Sequence, residues 1–199
     1  RSFTSMVYLA VILAFYAGGQ KEKIEAMKDY GKQSETFLKA TDEMAKRIVR
    51  EHPERNLYIT LGQGINYGIA NECMNKMKEM SLSNSEAYYT LEYRHGPMSL
   101  VDDKTMIILL GNEETVEGDE KLLEEMKSYG ALILAVGAKA TERYGAADYA
   151  LNLDYGYDSL QNGAMIGFIG QMMGYYLAEQ KGLDADTPRH LSQAIVIKD

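Results

Sequence analysis

Four short runs of apolar residues, each bounded by polar residues or glycine, set the rhythm of the chain. They are Leu57-Tyr58-Ile59-Thr60-Leu61, Thr105 to Leu110 (TMIILL), Ala131 to Val136, and Tyr149 to Leu153. Runs this short, rich in Ile, Leu and Val and without alternation, predict strands of a parallel sheet buried on both faces. Between the runs the apolar positions recur at helical intervals. The pattern predicts a helix from about Tyr67 to Met80 and another over Glu113–Tyr129, the latter with Val116, Leu122, Leu123 and Met126 inward and Gly130 at its end. A short linker leads from the first helix to His95-Gly96-Pro97. Strands alternating with helices predict an α/β fold, a three-layer α-β-α sandwich around a doubly wound parallel sheet.

The two ends of the chain are helical in pattern. Lys21 to Glu51 carries Ile24, Met27, Phe37, Leu38, Met44, Ile48 and Val49 at helical spacing, which predicts two helices broken near Gly31 and closed before Pro53. Asp158 to Lys181 predicts one long helix ended by Gly182, followed by an extended tail. Along that helix Gly163, Gly167, Gly170 and Gly174 form a stripe of small residues. Such a stripe permits close helix contact, and its expected use is homo-oligomerisation, as a homodimer or a larger assembly. The first residues, RSFTSMVYLAVILAFYAGG, imitate a signal peptide with one positive charge and an apolar run from Met6 to Ala17. The run is too short to span a bilayer. The alternative is a buried helix capped near Ser2 or Thr4 and ended by Gly18-Gly19.

Composition narrows the function. A chain of 199 residues with 46% apolar content can bury one sizeable core. The net charge of −8, with no basic tract, argues against nucleic acid as a partner. It leaves a small anionic substrate open, because local donors decide that. Cys73 is alone, which excludes an internal disulfide, and reads as a small buried apolar group. The three His have no Cys or Asp at ligand spacing, so no metal is expected. No Gly-x-Gly-x-x-Gly follows any strand, which argues against a dinucleotide. No cofactor of either kind is expected.

The candidate chemistry lies in residues 72 to 97. Glu72, Lys76 and Glu79 fall at i, i+4 and i+7, on one helix face. His95-Gly96-Pro97 follows. These residues could form an acid/base set; by residue type alone the simpler reading, a solvated helix face with one i,i+4 ion pair and a turn histidine, is the favoured one. Gly62-Gln63-Gly64, between strand and helix, could be an anion site or an ordinary tight turn.

The words around these residues are more specific. Leu61-Gly-Gln-Gly64, then Glu72-x-x-x-Lys76-x-x-Glu79, then Glu92-Tyr93-Arg94-His95-Gly96-Pro97, then Asp186-Thr187-Pro188-Arg189-His190-Leu191 occur in the order found in the sugar isomerase (SIS) domain. The chain resembles the second SIS domain of the isomerase half of glucosamine-6-phosphate synthase, and related ketose/aldose isomerases and deglycases. The resemblance implies a cytoplasmic sugar-phosphate isomerase. Glu79 would be the C1/C2 proton-transfer base and His95 would serve ring opening, reaching the pocket of a neighbouring subunit. Glu72 and Lys76 would support and polarise the site. It further implies that residues 1–54 are a helical linker and 55–199 the domain itself, with a first SIS domain, which carries the family's phosphate-binding Ser/Thr loops, lying outside this chain. The Gly62-Gln63-Gly64 turn, with only Gln63 and Asn66 as polar side chains, would then be a degenerate copy that holds no phosphate. One departure concerns the tail. In the glutamine-dependent synthase a Lys after this last motif forms an imine with the ketose. Here the substrate-binding positions are Ser192 and Gln193, and Gln cannot form an imine. That favours isomerase, deaminase or deglycase chemistry over the synthase reaction. A non-catalytic sugar-phosphate-binding module is the competing class.

Overall fold

The computed structural model describes residues 2–191. Five parallel strands form the sheet: β1 (Leu57–Gly62), β2 (Asn84–Tyr89), β3 (Thr105–Leu110), β4 (Leu132–Gly137) and β5 (Tyr149–Asn152), in the order β2-β1-β3-β4-β5. The expected three-layer α/β architecture is therefore present. β1, β3 and β4 are buried at every position. Their side chains alternate between two cores, as a period of two requires. Met106, Ile108, Leu110, Leu134 and Val136 face one core, while Ile107, Leu109, Ile133 and Ala135 face the other.

β2 occupies a stretch that the sequence pattern assigned to a linker. Its residues, Asn-Ser-Glu-Ala-Tyr-Tyr, lack the apolar run of the central strands because β2 is an edge, with exposed Asn84 and Tyr89 at its ends. Partial exposure removes the hydrophobic signal.

The first core is roofed by helices. α1 (Ser2–Ala17) ends at Gly18-Gly19, with Gly19 in the left-handed region at φ 69°. It is not buried all round: Val11 and Phe15 face the core, while Met6, Leu9, Leu13 and Tyr16 are 59–70% exposed. No helix among the described residues is long and apolar enough to cross a membrane. α2 (Lys21–Ala26) and α3 (Tyr30–Glu51) are separated by a 3₁₀ turn at Met27–Asp29, so the break falls before Gly31. Met27 and Tyr30, both buried, pin the chain where it tightens, while Gly31 sits harmlessly inside α3.

α4 (Ile65–Ser81) connects β1 to β2, and α5 (Val116–Ser128) connects β3 to β4 over the second core. α6 (Ala140–Arg143) is a single turn before β5. The expected long C-terminal helix is two, α7 (Ser159–Ile166) and α8 (Phe168–Gln180), meeting at Gly167. α7 is opened by a capping box in which Asp158 accepts the Gln161 N–H at 2.9 Å and Gln161 reciprocates.

The glycine stripe on this pair is used within the chain. A Cβ at Gly170 would lie 2.4 Å from Cys73 Cα, one at Gly174 2.9 Å from the Lys76 carbonyl oxygen, and one at Gly167 3.2 Å from Ile69. The stripe therefore seats α8 and the α7–α8 junction on α4, and the expectation that it forms a subunit interface is corrected. Cys73 lies in that seam, fully buried, with its thiol pushed up to about 12 by burial.

Candidate functional site

α4 begins where β1 ends, at a turn that only glycine permits. A Cβ on Gly62 would lie 2.6 Å from the Asn66 carbonyl, and Gly64 has φ 56°. Asn66, almost fully buried, donates its amide to the carbonyls of Leu110 at 3.2 Å and Gly111 at 2.9 Å. Its donors thus tie α4 to the end of β3.

At the far end of α4 the three ionisable residues meet as their spacing requires. Lys76 Nζ lies 3.4 Å from Glu72 Oε1 and forms a close ion pair with Glu79 Oε1. Asn75 Nδ2 donates to the other Glu79 oxygen at 3.2 Å. Burial alone would lower the Lys76 pKa. The Glu79 hydrogen bond and the charges of both glutamates outweigh it and raise the ammonium's pKa above its ordinary value. Lys76 is thus a fixed cation between two carboxylates, with its side chain 24% exposed and that of Glu72 only 13%.

Lys76 and Glu79 open onto a cleft of about 390 Å³. Phe3 of α1, Met80 of α4 and Tyr175 of α8 give it apolar walls, and Asp186 and Pro188 close one side. Gln171 of α8 also lines it and donates to Thr4 Oγ1 at 3.0 Å, joining α8 to α1. Asp184 shapes the closing segment, accepting the Asp186 N–H at 2.9 Å and the Thr187 hydroxyl at 2.7 Å. The wall residues Phe3, Gln171 and Tyr175 carried no sequence signal, because helices distant in the chain supply them. Asn75 could have been found: it stands four residues before Glu79 on the same helix.

His95 is elsewhere. It follows β2 on an exposed turn, after a 3₁₀ turn at Glu92–Arg94 and before Gly96, whose φ is 126°. Glu79 precedes β2, at the opposite end of that strand. The six residues of β2 separate the two ends by about 20 Å. Within one chain, then, Glu72, Lys76 and Glu79 come together and His95 does not join them. Ser192 and Gln193 lie outside the described residues.

A second crevice, of about 520 Å³, opens near the carboxyl ends of β4 and β5. Glu113, Glu142, Asp154 and Asp158 line it with Lys139. Its acidic lining makes it a poor phosphate site.

A parallel sheet in this order, with helices on both faces, defines an open, doubly wound α/β domain. The SIS domain matches residues 52–179, and the chain belongs to that family. It is similar to glutamine–fructose-6-phosphate aminotransferase (isomerizing) of Clostridium perfringens, 31% identical over 202 residues, covering 98% of this chain and 33% of the relative. Among solved structures it resembles glucosamine-6-phosphate deaminase from Thermotoga maritima, with TM-score 0.78 and 27% identity over 98% of this chain and 57% of that one. It also resembles the C-terminal domain of glucosamine-fructose-6-phosphate aminotransferase from Francisella tularensis, with TM-score 0.71 and 25% identity over 85% of this chain and 47% of that one. The chain thus spans about a third of the length of the curated relatives it matches and about half of these solved chains.

Proposed function

We propose that this chain provides the proton-transfer machinery of a sugar-phosphate isomerase or of a related deaminase or deglycase. The observation that carries the reading is the Glu72–Lys76–Glu79 triad, which presents Lys76 and Glu79 to the cleft. Glu79 is held by a cation on one oxygen and an amide on the other, and both ligands can be exchanged for substrate. With an open-chain sugar phosphate in the cleft, Glu79 takes a proton from one of the C1/C2 pair and returns it to the other. Lys76 offsets the negative charge that develops on the enediolate oxygen. Glu72 keeps Lys76 charged and in place. His95, brought by a neighbouring copy, serves ring opening. The phosphate anchor is supplied from outside these residues. The name of the aminotransferase relatives favours a second reading, amino transfer to the ketose. Gln193 weighs against it, because an amide cannot form the imine.

The test is exchange of the C1/C2 proton with solvent deuterium, followed by NMR on fructose 6-phosphate and glucosamine 6-phosphate with the full-length protein. Glu79→Gln keeps the shape and removes the basicity. It is expected to bind substrate and to exchange roughly 10²–10⁴-fold more slowly. Exchange at the wild-type rate would remove Glu79 from the mechanism.

A further inference from the structure

α5 carries an ionisable side chain on its buried face. Its inward face meets the Thr90–Arg94 turn at successive helical positions. A Cβ at Gly118 would touch Leu91 at 3.4 Å. Tyr93, fully buried, belongs to the same apolar cluster as Leu122 and Met126. At the far end Arg94 Nη1 pairs with Glu125 Oε2 at 3.0 Å. Between these contacts sits Asp119, 1% exposed. Its Oδ2 accepts the Thr115 hydroxyl at 2.7 Å. Its Oδ1 and the hydroxyl of Thr90, also fully buried, are each without a partner at good geometry, although Thr90 lies close enough to act on the carboxyl. Two unpaired polar atoms buried together are costly unless they engage each other. The residue that follows the turn is His95.

We propose that Asp119 is a positioning residue for His95: its carboxyl holds the Thr90 hydroxyl and, with the Glu125–Arg94 pair, fixes the Thr90–Arg94 turn on α5 at both ends. The inference rests on the ring-opening role given to His95 above, and it adds what orients that histidine. Burial pushes the Asp119 carboxyl up to about 6, against the opposing hydroxyls of Thr115 and Thr90. The ionised group accepts from both hydroxyls. The protonated group gives up one acceptor position, so the hold on Thr90 changes as the carboxyl titrates. The titratable groups around it are Tyr144, which follows α6 and is kept neutral by burial, and its own-helix neighbour Glu120, whose Oε1 accepts the Ala146 N–H at 3.0 Å. Beyond Tyr144 lies the Glu113–Arg143 pair at 3.1 Å.

The experiment has two readouts on the full-length protein. The first follows the backbone amides of residues 90–95 against pH by NMR, in a His95→Gln background so that the readout does not depend on the imidazole. An inflection near pH 6 is expected there, absent once Asp119→Asn is added, and Thr90→Val is expected to speed hydrogen exchange of the same amides. If the inflection survives Asp119→Asn, or Thr90→Val leaves exchange unchanged, the proposal is overturned. The second readout is turnover of wild-type and Asp119→Asn protein with His95 intact. Asn can still accept from Thr90 but lacks the carboxylate's charge, so kcat should fall by roughly tenfold or less with KM unchanged. That loss lies within the 10²-fold that a misplacement of about 1 Å can remove. If His95→Gln itself turns over at the wild-type rate, the ring-opening role is wrong, whatever the amides show.

Discussion

At the residue scale, two carboxylates of this protein face opposite electrostatic situations. Glu79 is bound to Lys76, and its charge is part of the site. Replacing Lys76 with Met should slow proton exchange roughly tenfold or more through loss of charge stabilisation, visible in kcat rather than KM. Asp119 is buried away from any cation, and its pKa rises from 3.8 to about 6. The sign follows from linkage. Between those two values the folded state binds more protons than the unfolded one, so this group's contribution falls as pH rises through the window. Above pH 6 the burden is fully present, about 3 kcal/mol at most for a shift of this size. Asp119→Asn should therefore unfold at higher denaturant concentration than wild type at pH 8, and the advantage should vanish near pH 4. Urea titrations at the two pH values measure this, and a variant that is less stable at pH 8 would show that hydrogen bonds, not burial, govern the site.

At the element scale, the seam between α4 and α8 is the most constrained contact. Gly170→Ala would place a methyl 2.4 Å from the Cys73 backbone, which cannot yield as a flexible side-chain tip would. Overpacking of this kind costs about 1–3 kcal/mol. Because Lys76 and Glu79 lie on α4 and Tyr175 on α8, a shift along the seam should also widen the cleft. Reduced thermal stability together with raised KM is the expected outcome. The same seam shows what could be read from the sequence. The glycine spacing announced close helix packing but not its partner, because a stripe of small residues is the same whether it meets its own chain or another. β1, β3 and β4 were legible because full burial leaves an unbroken apolar run. β2 was not, because an edge strand of Asn, Ser, Glu and Tyr has no such run. The break at Gly167 was hidden inside a continuous helical pattern, and the triad was legible because i, i+4, i+7 spacing alone places it. The cleft walls were not, since Phe3, Tyr175 and Pro188 meet only in three dimensions.

At the scale of the whole molecule, α1 carries an unfilled face. Met6, Leu9, Leu13 and Tyr16 are exposed at intervals of three and four residues, the spacing of a helix-packing seam. With the glycine stripe occupied inside the chain, this face now carries the expectation of self-association. Leu9→Lys with Leu13→Lys should shift sedimentation of the full-length protein towards smaller species, and an unchanged profile would move the interface elsewhere. Glu79 and His95, set at opposite ends of β2, have a consequence that genetics can read. If each site draws its base from one copy and its histidine from another, a Glu79→Gln chain and a His95→Gln chain, each inactive alone, complement one another. Mixed at equal amounts in a dimer, half the particles are hybrids, and each hybrid reunites one intact pair, so about a quarter of wild-type activity returns. Two inactive alleles of the same gene would then yield activity together where neither does alone.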